Sequence, residues 1–262
     1  MRAALRFVPL DVARGLAVAA MLVVNNPGNW DAVHPWLQHA PWHGSTPADL
    51  VFPAFVVVMG VALPLSERRL ADGEACVPTA RLLRRAALLI AIGVALNLVA
   101  AWPHLSALRW TGVLQRLGLV YAVGGWMVAR WPPRAWAAVA AALLLGHWIL
   151  LAALAPSLAQ PPIDPEGWHG LPTSIATVLM GALAGRWLLT AGVGEARTLP
   201  LAMSGVAAAA SGLAWSAAWP MNKRLWTGSF ALWATGVVLI VRSAVMRLPP
   251  TAATRWARPM LA

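Results

Sequence analysis

Of the 262 residues, 60% are hydrophobic and only 11% charged, and the mean hydropathy is +0.66; this excludes an ordinary soluble domain, in which about 25% of residues are charged. The net charge of +11 would suit nucleic acid, but the basic residues cluster in short loops between long apolar runs, so a lipid bilayer is the expected partner and nucleic acid is not. The single cysteine, Cys76, excludes an intramolecular disulfide framework and a multi-cysteine metal site.

Apolar stretches close to twenty residues long predict eight transmembrane helices, at 9–25, 48–66, 82–101, 111–129, 135–155, 173–190, 200–219 and 227–245. The fold class is all-α, a polytopic helix bundle read as one domain over 1–262; the ten-residue alternating segments of a β-barrel are absent from the sequence. The first run contains Asp11 and Arg14 and lacks a small-residue cleavage site, so it is expected to remain as a helix rather than be removed as a signal peptide. Tryptophans at Trp102, Trp110, Trp131, Trp136, Trp187, Trp219 and Trp226 sit at span ends, where interfacial anchors are expected.

The loops set the orientation. Arg2, Arg6, Arg68, Arg69, Arg81, Arg84, Arg85, Arg130, Arg134, Arg186, Arg197, Arg242, Arg247, Arg255 and Arg258 fall to one side, and only Arg109, Lys223 and Arg224 to the other. The positive-inside rule then puts both termini in the cytoplasm and the loops 26–47, 102–110, 156–172 and 220–226 outside.

Within the first span, Asp11 and Arg14 are three apart, on one helical face, as an ion pair would be. The loop that follows runs Asn25-Asn26-Pro27-Gly28-Asn29-Trp30-Asp31, then His34, then Gln38-His39-Ala40-Pro41-Trp42-His43-Gly44. It holds three of the six histidines. Imidazoles serve as general bases near neutral pH and amides donate to developing oxyanions, although a wet connecting loop is rich in the same residues. His39 and His43 have the spacing of paired metal ligands on a helix, but Pro41 breaks that helix and no metal is expected. Thr46-Pro47-Ala48-Asp49 has the form of a capping box, with Pro47 in the first turn and the Asp49 carboxylate at the positive end of the helix dipole. That placement would also let Asp49 orient a loop histidine.

Further along, Gln115 and Arg116 fall inside the fourth span, where an arginine needs an anionic or carbonyl partner or must snorkel outward. Gly181 and Gly185 have the GxxxG spacing that permits close helix approach. Two outer loops, Ile163-Asp164-Pro165-Glu166-Gly167-Trp168-His169 and Asn222-Lys223-Arg224-Leu225-Trp226, add carboxylates, an amide and cations that either are solvated or line a pocket for a polar ligand.

The order of these motifs resembles the heparan-alpha-glucosaminide N-acetyltransferase family and its bacterial relatives. The resemblance rests on Leu10-Asp11-Val12-Ala13-Arg14-Gly15, Val24-Asn25-Asn26-Pro27-Gly28, the block from His39 to Pro53, Met59-Gly60, Gly112-Val113-Leu114-Gln115-Arg116-Leu117-Gly118, Asp164-Pro165-Glu166-Gly167 and Asn222-Lys223-Arg224-Leu225-Trp226-Thr227. It implies a transmembrane enzyme that moves an acetyl group from cytoplasmic acetyl-CoA to an amino sugar or glycan on the other side, here across a bacterial inner membrane.

By the same resemblance, His39 matches the catalytic histidine, acting as general base or acyl carrier, Asn25 a substrate-site asparagine, and Asp49 the acidic residue after the histidine block. Asn26, Trp42, His43, Asp164, Glu166, Asn222, Lys223 and Trp226 are assigned to the acceptor, and Asp11, Arg14, Gln115 and Arg116 to the acetyl-CoA path. The family continues past the eighth helix with further spans, so the domain is expected to be incomplete at Ala262, and the resemblance leaves room for a homodimer. The rival readings are an exporter of a sugar or glycan intermediate, with Asp11, Asp49 and Arg116 along its path, and a non-catalytic membrane partner.

Overall fold

The computed structural model describes residues 8–71, 79–154, 164–191 and 197–247, with the backbone alone at 8, 9, 30, 67–71 and 191. Cys76, Arg2, Arg6, Arg255, Arg258 and the 156–163 part of the third outer loop lie outside the described residues.

Among the described residues eight long helices form, each at the place its apolar run predicts: α1 (Val8–Asn25), α2 (Val51–Ala71), α3 (Thr79–Ala101), α4 (Val113–Arg130), α5 (Pro133–Leu154), α6 (Leu171–Ala191), α7 (Thr198–Ser216) and α8 (Gly228–Val245). Helices are forced here because hydrocarbon offers no partner for a free peptide group, so each segment must satisfy its own backbone. Among the described residues six spans are long and apolar enough to cross a membrane, one of them α2 together with the 3₁₀ turn that leads into it, Pro47–Ser66. The other two long helices, α1 and α4, have 18 residues each; α1 carries Asp11, and α4 carries Gln115, Arg116 and Arg130. Helix content and hydropathy together make this an all-α integral membrane protein.

The bundle has a centre and a periphery. More than half of each of the α2, α6 and α8 spans is buried, against less than a third of α3, α5 and α7. Val56, Val178, Leu179 and Phe230 lie in the middle with no exposed surface. Leu88, Leu96 and Val99 on α3, Ile149 on α5 and Met203 and Leu213 on α7 point outward, as lipid-facing side chains do.

Backbone contact holds the centre together. A Cβ at Gly60 would strike the Val178 carbonyl, one at Gly181 the Val57 carbonyl, and one at Gly185 the Val61 carbonyl. The predicted GxxxG pair therefore seats α6 directly on α2, where the helices gain dispersion energy without a hydrophobic driving force. Gly205, Gly212 and Gly236 do the same between α7 and α8.

Two of the expected tryptophan anchors are core residues instead. Trp102 and Trp110 are exposed, but Trp136 and Trp226 are buried. The apolar ring fills the same volume in either setting, so position at a helix end does not by itself distinguish them.

Candidate active site

The C-terminal end of α1 and the N-terminal ends of α2, α4, α6 and α8 gather at one end of the bundle, where their loops touch. Gly44 N donates to Met221 O at 2.8 Å, which ties the histidine loop to the loop before α8. Gly44 has φ +107°, a conformation that costs glycine little and other residues much.

The histidine loop folds as short 3₁₀ turns, Trp30–Ala32, Pro35–Leu37 and Pro47–Leu50. Asn29 Oδ1 accepts from Asp31 N at 2.9 Å, and Gln38 Nε2 donates to Val33 O at 2.8 Å; these side chains are occupied in shaping the loop. The capping box forms, and Asp49, 1% exposed, becomes the hub of the segment. Its Oδ2 accepts from Ala40 N and Thr46 N, both at 3.0 Å. Its Oδ1 faces His39 Nδ1 at 2.8 Å and the Lys223 ammonium at 3.4 Å, and Lys223 Nζ lies 3.2 Å from His39 Nδ1.

The imidazole of His39 is half exposed, and Nε2 has no hydrogen-bond partner among the described residues. With Nδ1–H donating to Oδ1, Nε2 is bare and can take a proton. Burial holds Lys223 below the usual lysine range; Asp49 and Glu166 oppose that shift and Arg224 adds to it.

The floor under this site is aromatic and cationic. Trp226 is 1% exposed and adopts φ +51°, left-handed backbone that costs a non-glycine residue about 1–3 kcal/mol. Its indole is held by edge contacts with Phe52 and Phe230, at 5.3 and 5.5 Å, and donates from Nε1 to Thr177 Oγ1 at 3.2 Å. The Arg116 guanidinium lies 4.6 Å from the Trp226 ring and donates from Nη1 to Pro165 O at 2.8 Å. Arg116 thus finds the carbonyl partner its depth requires. A Cβ at Gly170 would collide with the guanidinium, so glycine is what leaves Arg116 room.

Beside it, Arg109 Nη2 binds the Asp164 carboxylate and Glu166 Oε2, and Thr111 donates to Asp164. Burial alone would lower Arg109 and raise Asp164; the ionic and hydrogen-bond partners outweigh it, so Arg109 sits above its usual range and Asp164 below the usual carboxylate range. This clasp joins the 102–112 loop to the 164–170 loop.

A cavity of about 390 Å³ opens in the other half of the bundle. Its walls come from Met59 to Ser66 on α2, Thr79 to Ile92 on α3 and Tyr121 to Ala129 on α4, with Arg14 and Arg85 among the polar groups. The highest point on α2, Met59, is eight residues or ~12 Å below the start of that helix.

A family model described as "Heparan-alpha-glucosaminide N-acetyltransferase, catalytic" matches residues 6–216. The chain belongs to this family. It is 37% identical over 122 residues to the heparan-alpha-glucosaminide N-acetyltransferase of Mus musculus and 38% identical over 123 residues to that of Homo sapiens. Each match covers 44% of this chain and 18% of the relative, so the chain aligns with about a fifth of the relatives' length.

The structure brings together some of the site residues that the heparan-alpha-glucosaminide N-acetyltransferase resemblance implies and separates others. His39, Asp49 and Lys223 meet in one hydrogen-bonded cluster. Trp42, in the same loop as His39, has the His43 ring at 6.1 Å and the Arg224 guanidinium at 5.9 Å from its ring. Asn25 and Asn26, at and just past the end of α1, are exposed; Asn26 Nδ2 donates to Leu22 O at 2.9 Å, and no hydrogen bond among the described residues joins Asn25 to His39.

Asn222 is buried and shapes its own loop, its Oδ1 accepting from Leu225 N at 2.9 Å. Trp226 is buried against Phe52, Phe230 and Arg116. The residues assigned to the acetyl-CoA path separate: Asp11 and Arg14 pair at 3.7 Å in α1, with Arg14 on the cavity wall, whereas Gln115 and Arg116 lie near the histidine end, beside Glu166 and Trp168. Sequence reasoning did not single out Arg109, Thr111 or Arg85. Arg109 alone left a signal, as one of three basic residues on the sparsely basic side.

Proposed function

We propose that the protein is a membrane acetyltransferase that passes an acetyl group from cytoplasmic acetyl-CoA to an amino sugar or glycan at the His39 end, outside a bacterial inner membrane. The observation that carries this reading is the His39–Asp49 pair, 2.8 Å long and built into the first turn before α2, within the stretch matched to the catalytic family. The skew of arginines toward the opposite side supports the orientation.

In this mechanism Nε2 of His39 removes a proton from the acceptor amine or hydroxyl as its lone pair attacks the thioester carbonyl. The carbon–sulfur bond then breaks, and the thiolate leaves with the proton returned from the imidazole. A positioned base of this kind contributes about 10²–10⁴-fold. Asp49 fixes the tautomer and ring orientation from below. Asn25 is the amide that the family resemblance assigns beside His39, and it is the candidate donor to the developing oxyanion. The cavity between α2, α3 and α4 suits the cytoplasmic co-substrate: Arg14 and Arg85 attract phosphate, and the largely apolar wall accepts the extended arm that carries the thioester. Gln115 and Arg116 fit the acceptor end better than the co-substrate end.

Reconstituted proteoliposomes with labelled acetyl-CoA on one face and glucosamine on the other test the reading. Labelled N-acetylglucosamine is expected only when the two are on opposite faces. Sugar flux without acetyl-CoA, and no acetylated product, would favour an exporter instead.

A further inference from the structure

Lys223 lies beyond residues 6–216, the stretch matched to the family, yet its ammonium touches both members of the His39–Asp49 pair. Its side chain is only 18% exposed. An ammonium is a donor only, and Nδ1 of an imidazole offers either a proton or a lone pair. Two arrangements follow. If Nδ1 carries the proton, it donates to Oδ1, the ammonium also rests on Oδ1, and Nε2 is bare. If Nδ1 is bare, it accepts from Lys223, the ring proton moves to Nε2, and the base is lost. The 2.8 Å separation of Nδ1 from Oδ1, shorter than the 3.2 Å to Nζ, favours the first.

Charge matters as much as the tautomer. A buried carboxylate alone beside an imidazole favours the imidazolium, which has no lone pair for an acceptor's proton. We propose that Lys223 is a positioning residue whose ammonium, seated between Asp49 Oδ1 and His39 Nδ1, offsets the Asp49 charge and keeps the imidazole neutral with Nε2 open. Asp49 reaches His39 from the turn before α2 and Lys223 from the loop before α8; the charges of Glu166 and Arg224 act on Lys223 with opposite sign. His43 is turned onto Trp42. The inference rests on His39 being the base.

The test is a pH titration of ¹⁵N-histidine NMR signals of the full chain in nanodiscs, with His39 assigned by loss of its signal in His39→Gln. In Lys223→Met the imidazole is expected to take up its second proton at a pH about one unit higher than in the wild type, a tenfold shift in that equilibrium. Lys223→Arg restores the wild-type midpoint, and Lys223→Gln moves it as Met does. Acetyl transfer by Lys223→Met should lose its acid side and recover as the pH rises. An unchanged NMR midpoint in both Lys223→Met and Lys223→Gln overturns the proposal, as does a rate reduced equally at every pH. Should the wild type transfer no acetyl group, the NMR titration still decides the role of Lys223, while the acetyltransferase reading alone fails.

Discussion

Replacing Asp49 by Asn keeps the size of the side chain and removes one charge, and the hydrogen bonds around it dictate what the amide does. Ala40 N and Thr46 N both point at Oδ2 from 3.0 Å, so the amide must place its oxygen there. Flipping it would leave two part-buried N–H groups facing an NH₂, where even a fully buried one would cost only about 1–3 kcal/mol. The NH₂ group therefore occupies the place of Oδ1 and confronts His39 Nδ1 at 2.8 Å. Two donors cannot share that contact, so the ring proton moves to Nε2 and the base is blocked. An amide in the corresponding place of a Ser-His-Asp triad lowers kcat by about 10⁴ through the same tautomer reversal. For Asp49→Asn a loss of about 10³–10⁴ in acetyl transfer is expected, with a stability cost of about 1–3 kcal/mol from the lost charge-assisted contacts. Transfer rates in proteoliposomes and thermal melts in detergent measure the two effects. A variant that retains activity within about threefold would show that the His39 tautomer does not limit the reaction.

Other perturbations act elsewhere. Gly170→Ala drives a methyl group into the Arg116 guanidinium and the Trp226 Cβ, so it should lower stability by about 1–3 kcal/mol, read as a lower melting temperature, unlike an alanine at Gly146, where a Cβ meets open space. Gly181→Leu cannot fit against the Val57 carbonyl and should prevent α2 and α6 from seating, read as loss of the monodisperse peak in size-exclusion chromatography. Asp164 has its folded pKa below its usual value of 3.8, so the clasp with Arg109 stabilises above the unfolded pKa and is lost as the pH falls through the folded one. The melting-temperature gap between wild type and Asp164→Asn should therefore be constant at neutral pH and close in acid below 3.8. Arg85→Ala should raise KM for acetyl-CoA by about 10-fold with kcat unchanged, as a charged hydrogen bond to a phosphate would give.

The helices were legible because lipid leaves one signal, length of apolar run, and that signal survives in a single sequence; the structure shifts the boundaries by only a few residues. The capping box at Thr46 and Asp49 was equally readable, being confined to four consecutive residues. His39 and Asp49 are ten apart, so a pairing could be suggested from local reasoning. Lys223 is 184 residues from His39, and only the fold, through Gly44 and Met221, brings it there. Arg109 and Asp164, 55 residues apart, fall under the same limit. Trp226 departs from its expected role as an interfacial anchor because a span-end position does not show burial: its ring fills the space between Phe52, Phe230 and Arg116.

The most direct measurement is acetyl transfer by His39→Ala in proteoliposomes, with labelled acetyl-CoA on one face and glucosamine on the other, beside a wild-type control of equal amount and equal melting temperature. Loss of at least about 10²-fold in the transfer rate is the expected result for removal of a general base. Transfer at the wild-type rate would contradict the assignment of the reaction to the His39 site.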